Sequence, residues 1–281
     1  MGQTDDATKV FIQNNNIFAD VFNFFLYDGK QVIKPEDLQE VDITEIGIPY
    51  GKDGRTQKSV QKYRDVLKYA SIKKDKNVVY CLMGVENQTS VHYAMPVRNA
   101  EYDVLQYAKQ IENISKEHRK YKDFHSSAEY LSGFCKEDKL IPVITITILF
   151  SPKKWDGPTS IHEMFPDYPK EILRYVPDYR MNLIEPYNLT EEQLSQFQTN
   201  LGAVIEFIKY SQDKEETKKR ILKDERFKHL DREAANVITK CTKFRFELEE
   251  NKKGEMDALE IPEDDRKFIM KELKKDLIVT K

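Results

Sequence analysis

The feature that most constrains this fold is a continuous apolar run at residues 78–85. It is rich in strand-forming residues and carries no charge, so it predicts a strand buried on both faces. The polar residues 73–77 precede it and are typical of a turn. If the chain reverses symmetrically about the middle of that turn, residues whose numbers sum to 151 face one another. The sequence therefore predicts a β-hairpin in which Asp65 lies opposite Glu86.

Two acidic side chains would thus meet at the open end of the hairpin. Directly opposed residues of antiparallel strands have Cβ atoms about 4.5–5.5 Å apart, so Asp65 and Glu86 could ligate the same ion. Side-chain alternation places Gln88 on the face of Glu86 and Asn87 on the other face. A register slip of one residue would separate the two carboxylates. Acids at strand ends are more often solvated or capped than catalytic, and the pattern alone leaves both interpretations open.

Ordered motifs in the first half of the chain extend this pattern. They are Phe18-Ala19-Asp20-Val21-Phe22-Asn23-Phe24-Phe25-Leu26, Arg64-Asp65-Val66-Leu67, Val85-Glu86-Asn87-Gln88-Thr89, and Met95-Pro96-Val97-Arg98 with Tyr102. Together they resemble the PD-(D/E)XK nuclease superfamily and, more narrowly, the recombination-promoting nuclease / putative transposase family (YhgA-like, Rpn). The resemblance implies an α/β fold with a restriction-endonuclease-like core, a mixed sheet flanked by helices, followed here by a helical C-terminal region.

The resemblance also implies an activity, the metal-dependent endonucleolytic cleavage of DNA. Asp65 and Glu86 would be ligands of Mg²⁺ or Mn²⁺, which suits oxygen ligands. Gln88 stands where many members of the wider superfamily have Lys, and its amide would orient water or phosphate without adding positive charge. Asp20, on the opening helix, would present an additional acid to the metal. The competing hypothesis is a nuclease-fold module that binds nucleic acid or protein without cutting.

A basic segment next to Asp65 is the candidate DNA-binding strip. Residues 52–76 contain nine basic and three acidic side chains, which suits phosphate contacts, although lysine runs are as often only solvated faces. The net charge of −3 gives no overall attraction to DNA. For Arg98 the alternatives are a helix-surface pair with Tyr102 and an ion pair with one of the acids of the site. The candidate DNA contacts are Arg64, Lys68, Arg98 and Tyr102.

Three further patterns describe the rest of the chain. Pro96 predicts the start of a helix that runs to about residue 124, and the β-branched residues 140–150 predict a central strand. Prolines concentrate between residues 152 and 186, which predicts a boundary between a nuclease-like core at 1–160 and a Pro-rich connection with a charged helical region at 161–281. The apolar stripe expected on the Pro96 helix comprises Val97, Ala100, Val104, Ala108 and Ile111.

Composition predicts the compartment and the class of metal. No stretch approaches the roughly 20 apolar residues of a membrane span, and the polar start does not suggest a signal peptide, so no membrane association is expected. Cys81, Cys135 and Cys241 are far apart, which predicts a reducing, cytoplasmic environment. No histidine lies at ligand spacing from them, so zinc is not expected. A homodimer is expected only because endonucleases that cut both strands often act in pairs.

Overall fold

The computed structural model of the protein describes residues 3–41, 44–47, 60–63, 65–74 and 77–241. Arg64 and most of the predicted basic strip lie outside these residues. The described part is an α/β structure, a mixed sheet flanked by helices, as expected. Its helices are α1 (Gln3–Gln13), α2 (Asn15–Tyr27), α3 (Met95–Tyr121), α4 (Ser127–Ser132), α5 (Lys170–Leu173), α6 (Glu191–Ser195), α7 (Asn200–Tyr210), α8 (Lys214–Lys223) and α9 (Arg232–Cys241).

The strands form a five-stranded sheet and a separate two-stranded ribbon. They are β1 (Leu38–Glu40), β2 (Thr44–Gly47), β3 (Val60–Tyr63), β4 (Val66–Lys74), β5 (Asn77–Gln88), β6 (Val143–Leu149) and β7 (Asn182–Ile184). The large sheet has the order β1-β4-β5-β6-β7, and β2 pairs with β3. The pairs β1/β4 and β4/β5 are antiparallel, whereas β5/β6 and β6/β7 are parallel. The predicted central strand at residues 140–150 is confirmed as β6.

The register of the hairpin is as predicted. Val66 lies opposite Val85 and Lys74 lies opposite Asn77, so every described pair has residue numbers that sum to 151. The apolar run at residues 78–85 of β5 suits a central position in the sheet. There, β4 pairs with one edge of β5 and β6 pairs with the other. The hairpin therefore fixes which side chains can meet at its open end.

One face of the sheet carries the main hydrophobic core. Helices α1, α2, α7 and α9 pack on it, and the largest side chains at its centre are fully buried. The predicted aromatic helix is confirmed as α2, whose Phe18 and Phe22 rings lie 5.0 Å apart in this core. Helix α2 begins at the cap residue Asn14, whose side chain accepts a hydrogen bond from the backbone of Asn16.

The other face of the sheet, which α3 covers, carries a buried polar layer beside a small apolar cluster of Met95, Leu149, Trp155 and Met181. Thr145 and Thr147 of β6 point toward this helix, as does Glu86 of β5, and all three are buried. The expected apolar stripe on α3 is wrong: Val104, for example, is 63% exposed. A helix over a polar sheet face gains more by burying hydrogen-bonding side chains than by burying valines. Its buried residues are Met95, Pro96, Asn99, Tyr102, Asp103 and Gln106.

The expected boundary near residue 160 does not separate two cores. Strand β7 extends the sheet beside β6, and α7 and α9 pack in the same hydrophobic cluster as α1 and α2. The prolines after residue 150 accompany a surface connection with short helical turns, as expected, but the chain then returns to the sheet. Within the described ranges, every helix is too short or too polar to cross a membrane.

Candidate functional site

The open end of the hairpin brings the two predicted acids together. Asp65 directly precedes β4, so continuing the register by one residue places it opposite Glu86. The backbone N–H of Asn87 donates a hydrogen bond to Asp65 Oδ2 at 2.9 Å, which holds this carboxylate against the end of β5. Asp65 is half-buried and Glu86 is buried. Two carboxylates at one end of one hairpin form the centre of the candidate site.

Arg98, near the start of α3, is the cation at this site. Its Nη2 lies 3.3 Å from Glu86 Oε2, and its Nε donates a hydrogen bond to Tyr102 Oη at 3.1 Å. Burial alone would lower the pKa of Arg98, but the charges of Glu86, Tyr102 and Asp65 and the Tyr102 hydrogen bond outweigh it, and the pKa is raised. Both carboxylates therefore act on the same guanidinium, so the ion-pair alternative for Arg98 is the one observed.

A buried polar layer lies directly beside Glu86. Thr147 of β6 is the register partner of Glu86, and Asn99 Nδ2 donates a hydrogen bond to Thr147 Oγ1 at 2.8 Å. Asn99 is fully buried, and its Oδ1 accepts no hydrogen bond from any of the described residues. Sequence reasoning missed this pair. The signal was two threonines at alternate positions in an otherwise aliphatic strand, which mark a polar face.

Gln88 is the last residue of β5. It pairs with Leu149 of β6, and the regular strand places its side chain on the face of Glu86, two residues further along. It is half-buried, which leaves part of it accessible to solvent. The predicted alternation of Glu86, Asn87 and Gln88 is therefore retained in the strand.

Asp20 has a structural position instead. It is buried on α2, and its carboxylate accepts hydrogen bonds from the backbone N–H groups of Gln198 and Thr199 and from Thr199 Oγ1 at 2.6 Å. Burial raises its pKa, although the hydrogen bonds from Thr199 and Gln198 oppose the rise. Because the Asp20 carboxylate is hydrogen-bonded to the start of α7, we withdraw the expectation that Asp20 ligates the metal.

Two of the predicted DNA contacts are wrong, because their side chains are buried and do not reach solvent. Lys68 is 1% exposed, and its Nζ donates hydrogen bonds to the Gln13 backbone oxygen at 2.7 Å and to Asn15 Oδ1 at 2.5 Å. It therefore ties β4 to the junction of α1 and α2, on the sheet face opposite Glu86. Tyr102 is 4% exposed and positions Arg98 instead of reaching solvent. Arg64 lies outside the described residues.

The donor set at the hairpin end suits a hard divalent cation. Carboxylate oxygens come from Asp65 and Glu86, the strand register places Gln88 on the face of Glu86, and Asn99 bonds Thr147 on that face. Such oxygen-rich sets match Mg²⁺ or Mn²⁺. The buried Oδ1 of Asn99, which accepts no hydrogen bond from the described residues, is available to accept one from a water molecule or to contact a cation.

Comparisons of the chain with family models, with curated proteins and with solved structures found no match. The function is therefore inferred from the geometry of the hairpin end and from the chemistry of its side chains.

Proposed function

We propose that this protein is a metal-dependent nuclease that hydrolyses phosphodiester bonds of DNA at the open end of the β4–β5 hairpin. The observation that carries the proposal is that the hairpin register places Asp65 opposite Glu86, whose carboxylate lies 3.3 Å from the Arg98 guanidinium. A place where the protein gathers two carboxylates around one positive charge is a place where a divalent cation is electrostatically favoured.

Each residue of the site has a distinct task in this proposal. Asp65 and Glu86 hold the metal, and the Asn87 N–H keeps Asp65 oriented toward it. The chemistry that a bound Mg²⁺ supplies is polarisation of the phosphate and a lower pKa for a water ligand. Gln88 donates a hydrogen bond from its amide to water or to a phosphate oxygen. Because Gln88 is neutral, the positive charge at the site must come from the metal and from Arg98.

Arg98 pairs with Glu86 in the structure and, in this proposal, also contacts a DNA phosphate. Its side chain is 35% exposed, so it can leave Glu86 and reach a phosphate on the solvent side. Guanidinium groups bind phosphate oxygens in a bidentate geometry, which suits this role. If Asp65 and Glu86 held a divalent cation, the Arg98 guanidinium would be free to hold a phosphate of the DNA backbone.

The alternative function is a nuclease-like module that binds nucleic acid or protein without cutting. It is favoured by the full burial of Glu86 and by its existing ion pair with Arg98, which compensates the charge without a metal. Incubating supercoiled plasmid with the full chain and Mg²⁺ or Mn²⁺ separates the two functions. Nicking that requires metal and stops with EDTA supports the nuclease. Plasmid binding without metal-dependent nicking supports the module, and a homodimer that cuts both strands would yield linear product.

The substitution Arg98→Ala should separate metal binding from catalysis. We expect DNA cleavage to fall about 10²-fold, the usual effect of losing one charge-stabilising donor, while Mn²⁺ binds as tightly as in the parent or more tightly. The reason is that Arg98 competes with the metal for Glu86 but serves the phosphate. Isothermal titration with Mn²⁺ and plasmid nicking measure the two effects, with the exposed Arg174→Ala as the charge-matched control. Loss of Mn²⁺ binding in Arg98→Ala would contradict this role.

A further inference from the structure

Three metal-ligating side chains of different types meet at the far end of α3. They are His118, in the last turn of the helix, and Cys135 and Asp138, in the segment after α4. Their ligand atoms all lie within 4.8 Å of one another. No histidine lies at ligand spacing from a cysteine in the sequence, yet the fold brings His118 and Cys135 together. The chain between residues 122 and 134 folds back and closes a gap of sixteen intervening residues.

A single tight turn presents two of these ligands. The Cys135 N–H donates a hydrogen bond to Asp138 Oδ2 at 2.6 Å, and the Asp138 N–H donates one to the Cys135 backbone oxygen at 3.2 Å. Cys135 and Asp138 are separated by two residues, the spacing of paired ligands in many structural zinc sites. The local fold thus positions the thiol and the carboxylate before any metal arrives.

The histidine is oriented in the way that metal ligands usually are. His118 Nδ1 lies 2.7 Å from Asp123 Oδ1, and its Nε2 lies 3.0 Å from Asp138 Oδ2. A carboxylate on one ring nitrogen that directs the other toward the metal is a common arrangement around zinc-bound histidines. Two ligands of one tetrahedral Zn²⁺, each about 2 Å from the ion, lie roughly 3.3 Å apart, so Nε2 and Oδ2 need little movement.

The surroundings of the thiol are strongly negative. Cys135 is 5% exposed, and burial together with the charges of nearby acids raises its pKa. The contributing acids are Glu129, Asp138, Asp123 and Glu137. This environment disfavours a free thiolate, but it favours a divalent cation, and a bound cation deprotonates a coordinating thiol.

We propose that His118, Cys135 and Asp138 bind a zinc ion, with water as the remaining ligand. A thiolate and an imidazole favour Zn²⁺ over the hard cation proposed for the hairpin end. The ion would fasten the end of α3 to the turn that follows α4. This site is independent of the proposed nuclease activity, and the two proposals can fail separately.

The test uses the full-length protein and two readouts. Zinc content is measured by mass spectrometry after exhaustive dialysis, and Co²⁺ replaces zinc for absorption spectroscopy. We expect about one zinc per chain and a sulfur-to-cobalt charge-transfer band in the near ultraviolet. Cys135→Ser should abolish the band and Asp138→Asn should lower the affinity at least 10-fold. The control Cys81→Ser removes a buried thiol elsewhere and should change neither readout.

Three results would overturn the proposal. They are a parent protein that retains no stoichiometric zinc, a Co²⁺ spectrum without the charge-transfer band, and binding that is unchanged in both Cys135→Ser and Asp138→Asn. If Cys135→Ser fails to fold, Asp138→Asn and the parent spectrum still decide the question. If no metal binds, His118 would be a protonated histidine that bridges Asp123 and Asp138, and EDTA would leave the melting temperature unchanged.

Discussion

Replacing Glu86 by Gln is expected to abolish metal-dependent DNA cleavage, with a loss of 10²-fold or more of the order seen when a key electrostatic group is removed. The substitution keeps the shape of the side chain but removes the charge that holds the cation. Glu86 is fully buried beside Arg98, and Gln cannot supply a negative charge there. The ion pair with Arg98 is lost at the same time, and Mn²⁺ affinity should fall together with the rate.

Asp65→Asn should give the same result through the other carboxylate. Its oxygen can still accept the hydrogen bond from the Asn87 N–H, so the end of β5 should keep its geometry. Plasmid nicking and Mn²⁺ titration calorimetry measure both variants. Glu112→Gln on α3 is the matched control, because it removes one exposed acid that pairs with Lys116 on the same helix. Full nicking by Glu86→Gln, or by Asp65→Asn, would rule out the proposed mechanism.

The sequence was sufficient to predict the hairpin and its register. A charge-free strand next to a polar turn leaves few ways to pair, and a slip of one residue would turn the apolar face of β4 away from the core. The same logic correctly predicted β6, whose β-branched residues are buried between β5 and β7. The approach of Asp65 to Glu86 follows from this register, so this part of the site could be read from local sequence.

The burial of α3 could not be predicted from its own pattern. Periodicity rules assume that a helix turns its apolar side inward, and here Val97 and Val104 face solvent. The sheet decides which side of α3 faces inward. Thr145 Oγ1 donates a hydrogen bond to Asp103, and Asn99 donates one to Thr147. The roles of these residues depend on pairing between distant segments, which helix periodicity does not reveal.

The same limit applies to charged residues whose partners are remote in sequence. Lys68 looked like a DNA contact because it belongs to a basic segment, yet it is buried against the α1–α2 junction. His118 and Cys135 looked unrelated because their spacing matches no metal motif, yet a folded-back loop brings them together. In each case the partner is set by tertiary packing, and the local composition gave the wrong class of environment.

Asp20 is the clearest case of an acid whose role is structural. Its carboxylate accepts hydrogen bonds at the N-terminus of α7, where Thr199 is the cap residue. Helix N-termini have unsatisfied N–H groups and a partial positive charge, so a buried carboxylate is stabilising there. Helix α7 carries Val204, Ile205 and Ile208 into the main core, so its position matters to the whole fold.

Asp20→Ala is therefore expected to lower the free energy of unfolding by about 2–4 kcal/mol while leaving Mn²⁺ affinity unchanged. The loss arises because the Gln198 and Thr199 N–H groups would lose their carboxylate acceptor at the start of α7, and removal of a buried charge offsets only part of it. Urea unfolding of Asp20→Ala, with the exposed Asp167→Ala as control, measures the stability, and Mn²⁺ titration of the folded variant measures the site. A folded Asp20→Ala variant that no longer binds Mn²⁺ would restore Asp20 as a metal ligand, whereas the contacts of its carboxylate predict a loss of stability alone.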